Sequence, residues 1–232
     1  MHPLDNPIWQ ALTTSQAHLA KAGKLARRFP NDIASLGGFL EPVQDAYDSL
    51  AAILDDVNAI GLVFDSPQHP PADWTVIAGA PLLQMICENG EIAAASSSQS
   101  TSWEILELNP ADAPEMMALA QLTKPGPFGL RTRELGTYLG IRHEGRLIAM
   151  AGERLRVPGF TEISAVCTHP DHLGRGHAAA LMTALMERIQ GRGEVPFLHV
   201  REDNTRAIAL YERLGFRRRV LLHFAVVQKP AG

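Results

Sequence analysis

Cysteine is scarce: Cys87 and Cys167 are the only two in 232 residues, and they stand far apart in the chain. Two distant thiols exclude a disulfide framework, and a reducing, cytoplasmic setting is the expectation. Long apolar runs are missing as well. No stretch nears the roughly 18 residues that a membrane helix needs, so no membrane association is expected. The first residues lack a basic segment followed by an apolar one, which argues against a signal peptide. Nor is there a large excess of charge of one sign. The net charge of −4 excludes wholesale nucleic-acid binding. No internal repeat emerges from letter matching.

What is present is ample material for a core, with 46% hydrophobic residues. The charge is unevenly placed. Residues 1–101 hold 4 Lys and Arg against 11 Asp and Glu, and the remainder holds 17 against 14. The low-complexity run "AAASSSQSTS" at 93–102 separates these halves and reads as a boundary. The expected organisation is an N-terminal α+β domain over 1–100 and a second domain over 101–232.

The second half alternates legibly. "SWEILEL" (102–108) reads as a strand, Asn109-Pro110 opens a helix over about 111–122, and "TKPGPFGLRT" (123–132) is a breaker-rich loop. "YLGIRH", "RLIAMAGERLR" and "TEISAVCTH" form an antiparallel meander, turning at Glu144-Gly145 and Val157-Pro158-Gly159. A helix follows whose Ala178, Leu181, Met182, Leu185, Met186 and Ile189 make a 3.6-residue stripe. Next come a strand at 195–200, a helix from about Asn204 to Leu214 capped by Gly215, and a closing strand. In the first half, residues 6–29 and 41–54 look helical, and 59–65 and 74–87 look like strands.

"HPDHLGRGHAAAL" (169–181) places Gly174 and Gly176 where that stripe-bearing helix begins. Glycines let the backbone approach a ligand, and the first amides of a helix are free to bind an anion. Neither dinucleotide nor P-loop fingerprints fit, because position 179 is alanine and no Gly-Lys-Ser/Thr follows. Asn204 and Tyr211 are seven apart and lie on nearly one helix face. They read either as contacts to one elongated ligand or as a helix cap plus a half-buried tyrosine. Glu162, at the mouth of an apolar strand, is a functional carboxylate or a solvated strand end. Cys167, His169, His172 and His177 cluster, but their spacing matches no common zinc pattern, so no metal is expected.

The run from Glu162 to Leu181 resembles motif A of the GNAT acetyltransferase superfamily, with Leu173-Gly174-Arg175-Gly176-His177-Ala178 as its glycine signature. "LHVREDNTRAIALYERLGF" (198–216) resembles motif B of the same superfamily. The likeness covers about 130 residues. Leu173 departs from it, standing where the family usually has Gln or Arg. The start of the chain more faintly resembles bacterial relatives of glycine N-acyltransferase, whose N-terminal half is a degenerate GNAT-like fold.

The resemblance implies a mixed, mostly antiparallel sheet flanked by helices, preceded by a smaller α+β domain. It implies an N-acetyltransferase that uses acetyl-CoA as co-substrate. Amides from 174 to 178 would wrap the pyrophosphate, and the backbone of Val166, Cys167 and Thr168 would bind the pantetheine arm. An amide near Val166 would polarise the thioester carbonyl. Glu162 would be the base, directly or through water, with His199 or an ordered water as its substitute. Tyr211 would protonate the leaving thiolate, and Asn204 would touch the coenzyme. The acceptor is a small-molecule amine, an amino acid, or a protein amine. Lys124, Arg131 and Arg133 either meet an acceptor carboxylate or form a solvated loop. A silent acyl-CoA-binding sensor or scaffold is the competing reading.

Overall fold

The computed structural model describes residues 2–55, 58–88 and 103–229. The first half builds α1 (Pro7–Thr13), β1 (Lys21–Ala22), β2 (Ala26–Arg28), β3 (Gly37–Phe39), α2 (Gln44–Ala51), β4 (Ala59–Phe64) and β5 (Thr75–Ile86). The second builds β6 (Ile105–Glu107), α3 (Ala113–Thr123), β7 (Tyr138–His143), β8 (Arg146–Val157), β9 (Phe160–Thr168), α4 (His177–Gly191), β10 (Val195–Arg201), α5 (Thr205–Arg213) and β11 (Arg217–Gln228). The run at 93–102 lies outside the described residues.

One sheet holds eight strands in the order β4-β11-β5-β10-β9-β8-β7-β6, and β1-β2-β3 form a smaller one. Among the described residues β9 and β10 run parallel, the other strand pairings are antiparallel, and a lone parallel bridge joins Leu36 to Gly61. The expected meander is β7-β8-β9. Its first turn uses Glu144 and Gly145, both at positive φ (50° and 79°), as a two-residue hairpin turn that follows strand twist requires. Strands from both halves share the large sheet, since β5 lies between β10 and β11.

The periodicity seen in α4 is its packing face. Leu181, Met182, Leu185, Met186 and Ile189 are fully buried against Ile163, Leu198 and their neighbours on the sheet. On the opposite side Leu4, Ile8 and Leu12 of the first half pack with Leu155, Phe197 and Leu222 of the second. No helix among the described residues is long and apolar enough to cross a membrane.

The helical reading of 6–29 holds only to Thr13 and for a short 3₁₀ turn at Ala17–Leu19. Beyond that, tertiary contacts override the local preference of "AKAGKLARR". A side chain at Gly23 would meet the Ser49 hydroxyl at 2.7 Å. That hydroxyl instead accepts the amides of Leu25 and Ala26 at 2.8 and 3.1 Å. Arg28 is 3% exposed and donates to the carbonyls of Ile53 and Leu54, which draws the chain out as a strand.

Candidate active site

The parallel pairing of β9 with β10 covers only Val195–Phe160, Pro196–Thr161 and Phe197–Glu162. Past Glu162 the two strands part. Ala165, at φ 54°, sits in a bulge that shifts the β8–β9 register between Gly152–Ser164 and Met150–Cys167. The outer part of β9 thus keeps its bonds to β8 on one edge, while pairing with β10 has ended on the other. A cavity of about 410 Å³ fills the opening. Val166, Asn204 and Tyr211 line it, as do Ile8, Leu36 and Val63 from the first half.

Gly174 and Gly176 adopt φ of 76° and 84°, and Gly176 is the cap residue of α4. A side chain at either would meet nothing within 4 Å. Both glycines are therefore required by backbone conformation, not by crowding. The free first amides of α4 sit beside an open surface, the donor set a pyrophosphate needs. Leu173 is 49% exposed. Arg175 leans back to the carbonyl of Asp171 at 3.3 Å. The His177 ring is buried, edge-on to Trp103 at 5.3 Å, so its backbone amide is what it offers an anion. Ala178 follows in the first turn of α4. Cys167 turns its thiol into the core against α3, where burial pushes it up to about 11. Neither Cys167 nor Thr168 is among the cavity's lining residues, which on β9 run from Ile163 to Val166.

Asn204 is the cap of α5, accepting the Ala207 amide through Oδ1 at 3.1 Å, and it also lines the cavity. Tyr211, two turns on, lines the same cavity and packs on Phe216. Burial pushes its hydroxyl up to about 12.

Glu162 is fully buried rather than solvated. It accepts Arg154 Nε at 2.8 Å and Nη2 at 2.6 Å, the Leu155 amide at 3.3 Å, and lies 2.7 Å from His199 Nδ1. Burial alone would raise its carboxyl. The Arg154 charge and hydrogen bonds, helped by His199, outweigh it and hold the group at about 2. Gln84 fixes the histidine tautomer. Its amide oxygen accepts Arg219 Nη1 at 2.7 Å, and its nitrogen donates to the Leu4 carbonyl at 2.9 Å and faces His199 Nε2 at 3.0 Å. Nε2 is therefore the acceptor, and Nδ1–H points at Glu162. Arg219 continues the chain to Asp5 at 2.5 Å.

Arg154 and Gln84 escaped the sequence reading. The one signal for Arg154 was a charged residue inside the buried strand "RLIAMAGERLR". Gln84 gave none beyond a polar residue in an apolar run. Of the three loop cations, Lys124 lines the cavity. Arg131 is held by Glu134 at 2.8 Å and Asp32 at 3.1 Å. Arg133 is not among the cavity residues, and its Nε is buried without a partner.

Glycine-opened α4, the parted β9 and β10 and the cavity between them form the candidate site. Residues 138–224 match the family described as FR47-like protein. The chain is 38% identical to a crystal structure from Novosphingobium aromaticivorans assigned as an acetyltransferase of the GNAT family, with a TM-score of 0.87 over 100% of both chains. This chain belongs to the GNAT family of acetyltransferases. It is 39% identical over 101 residues to the N-alpha-acetyltransferase RimI of Mycobacterium tuberculosis. That match takes in 40% of this chain and 63% of the relative, less than two thirds of its length. A 60-residue match of 40% identity links it to a mycothiol acetyltransferase of Corynebacterium aurimucosum, covering 25% of this chain and 20% of that one.

Proposed function

We propose that this chain transfers the acetyl group of acetyl-CoA to a primary amine by direct attack of the amine on the thioester. The observation that carries the reading is the cavity in the opening between β9 and β10. Its Asn204 and Tyr211 end suits the coenzyme arm, and the end walled by the first half suits the acceptor. A direct transfer requires both substrates to meet in one passage. Gly174, Gly176 and the amides from 174 to 178 take the pyrophosphate. The backbone of Val166, Cys167 and Thr168 takes the pantetheine arm, and an amide near Val166 polarises the carbonyl.

The amine nitrogen bonds to the carbonyl carbon as the carbon–sulfur bond breaks, giving an amide and a free thiol. A lysine-like ammonium, with a pKa of roughly 10.4, must first lose a proton. Glu162, loaded with donors, takes no proton directly near neutral pH. It acts through His199: Nε2 accepts the proton by way of a cavity water that displaces the Gln84 amide, and Glu162 steadies the resulting imidazolium through Nδ1–H. Tyr211 hydrogen-bonds the developing thiolate, which becomes the free thiol by taking the second proton that the nitrogen sheds on forming the amide. Full transfer from a group near 12 to a thiolate whose acid has a pKa of roughly 8.5 is uphill.

Thermal shift with acetyl-CoA tests the first half of the proposal. Coenzyme at 100 times its Kd adds about 2.7 kcal/mol, a rise of roughly 5–10 °C for a chain this long. An amine panel scored by free-thiol release tests the second. Binding without release from any amine would favour a silent acyl-CoA sensor; no shift with any acyl-CoA would end both readings.

A further inference from the structure

The cavity crosses the large sheet, and its two ends differ in chemistry. Leu198 and Val200 line it from the face that packs with α4, the side of Tyr211. Side chains alternate along a strand, so His199 and Arg201 line it from the opposite face. That face also carries Leu82, directly across from Arg201 on β5. Phe224 stands across from Ala80 of β5 and from Val63 of β4. Ile8, Leu36, Val63, Leu82 and Phe224 pack in one apolar cluster, and all five line this end. Gly61 makes room for the wall, because a side chain there would meet Phe224 Cε2 at 2.7 Å and Leu36 Cδ2 at 3.0 Å.

Charge supplies the complementary observation. The cavity is lined by Lys124, Arg154 and Arg201, and among the described residues no aspartate or glutamate lines it. Arg154 is held by Glu162 at 2.6 Å and Arg201 by Asp203 at 2.7 Å. Glu162 itself is fully buried and already bound by Arg154 and His199. Lys124 has no ion-pair partner among the described residues. A second ammonium on an acceptor would therefore meet like charge and no counter-ion in a partly dry space. The same cations favour the neutral form of the reacting amine, which is the form that attacks.

We propose that the acceptor is a primary amine on a short apolar body, and that the site selects against a second positive charge on it. The amine is presented to His199, and the body lies against the wall of Ile8, Leu36, Val63, Leu82 and Phe224. Lys124, the lining cation that no carboxylate neutralises, opposes a further ammonium. This rests on the transferase reading above and names its acceptor class. Polyamines and lysine-rich peptides fail on charge, and small polar amines fail because they leave the apolar wall uncovered.

The test is thiol release from acetyl-CoA with ethylamine, butylamine, pentylamine and 1,5-diaminopentane. From ethylamine to pentylamine kcat/KM is expected to rise about fourfold per methylene, the worth of a methylene buried on an apolar wall. Pentylamine carries the same five carbons as the diamine and should exceed it by about tenfold or more. Lys124→Glu puts a carboxylate among the lining residues and should narrow that gap several-fold. Phe224→Ala should flatten the chain-length series. A flat series in the parent, or a diamine used as well as pentylamine, overturns the inference while leaving the transferase reading intact. So does an unchanged gap in Lys124→Glu, which decides the matter even where Phe224→Ala fails to fold. Turnover with none of the four amines overturns it too. The acetyl-CoA thermal shift, together with a wider amine panel, then shows whether the transferase reading falls with it.

Discussion

Replacing Glu162 by Gln keeps the shape of the side chain and removes its charge. Arg154 is then left with its side chain only 17% exposed and no counter-ion. Two routes give the cost. Removing one partner of a buried ion pair destabilises by about 3–5 kcal/mol. The carboxyl, lowered from 4.5 to about 2, corresponds at 1.36 kcal/mol per unit to about 3 kcal/mol. Their agreement sets the expectation at pH 7: about 3 kcal/mol lost, or a fall in Tm of roughly 6–12 °C. Because the folded value is depressed, this stabilisation is complete above the unfolded value and disappears as pH drops through the folded one. Urea denaturation should therefore find parent and variant about 3 kcal/mol apart at pH 7, with the gap roughly halved at pH 3. A gap that stays constant across that range, or no gap at pH 7, would refute the buried pair. The same variant reports on chemistry. Its turnover should fall most at neutral pH and recover as rising pH deprotonates the amine unaided. A parent-like rate and profile would make Glu162 a bystander in the reaction.

Gly176→Val forces a branched residue to φ 84° where phosphate would approach, so acetyl-CoA binding measured by calorimetry should vanish. The fold should survive, because the added carbon meets nothing within 4 Å; tight binding by the variant would mean the loop has another purpose. Tyr211→Phe should lower kcat by about 10- to 10²-fold, the loss of one hydrogen bond of about 1.5–3 kcal/mol to a charged group. High pH should not restore it, and a rate equal to the parent's would leave Tyr211 a packing residue only.

The glycine loop could be read from the sequence because its whole logic is local: two residues at positive φ and the helix they open lie within a few positions. Asn204 and Tyr211 were equally accessible, being set on one face by helical spacing alone. Asn204 proved to be a helix cap and a cavity residue at once, so the two readings of it were never exclusive. The surroundings of Glu162 were hidden for the opposite reason. Its partners come from β8 and β10, Gln84 comes from a strand of the first half, and none of these pairings leaves a mark on composition or period. The strand around Arg28 was masked by good helix formers, and only its contacts with Ser49, Ile53 and Leu54 decide its conformation.

The placement of β5 has a consequence for how the protein is made. β4 pairs in the large sheet with β11, and β5 with β10 and β11. On a ribosome these two strands emerge well before β10 and β11, the strands that complete their hydrogen bonds. An apolar strand such as Leu82–Ile86 must therefore wait unpaired until β10 and β11 emerge, and exposed strand edges invite association with other chains. Closure of the sheet is dominated by distant pairings, which favours slow folding. Expression of this protein should accordingly be sensitive to temperature and to chaperone supply, and deletion of Arg217–Gln228 would remove the strand that pairs with both earlier ones.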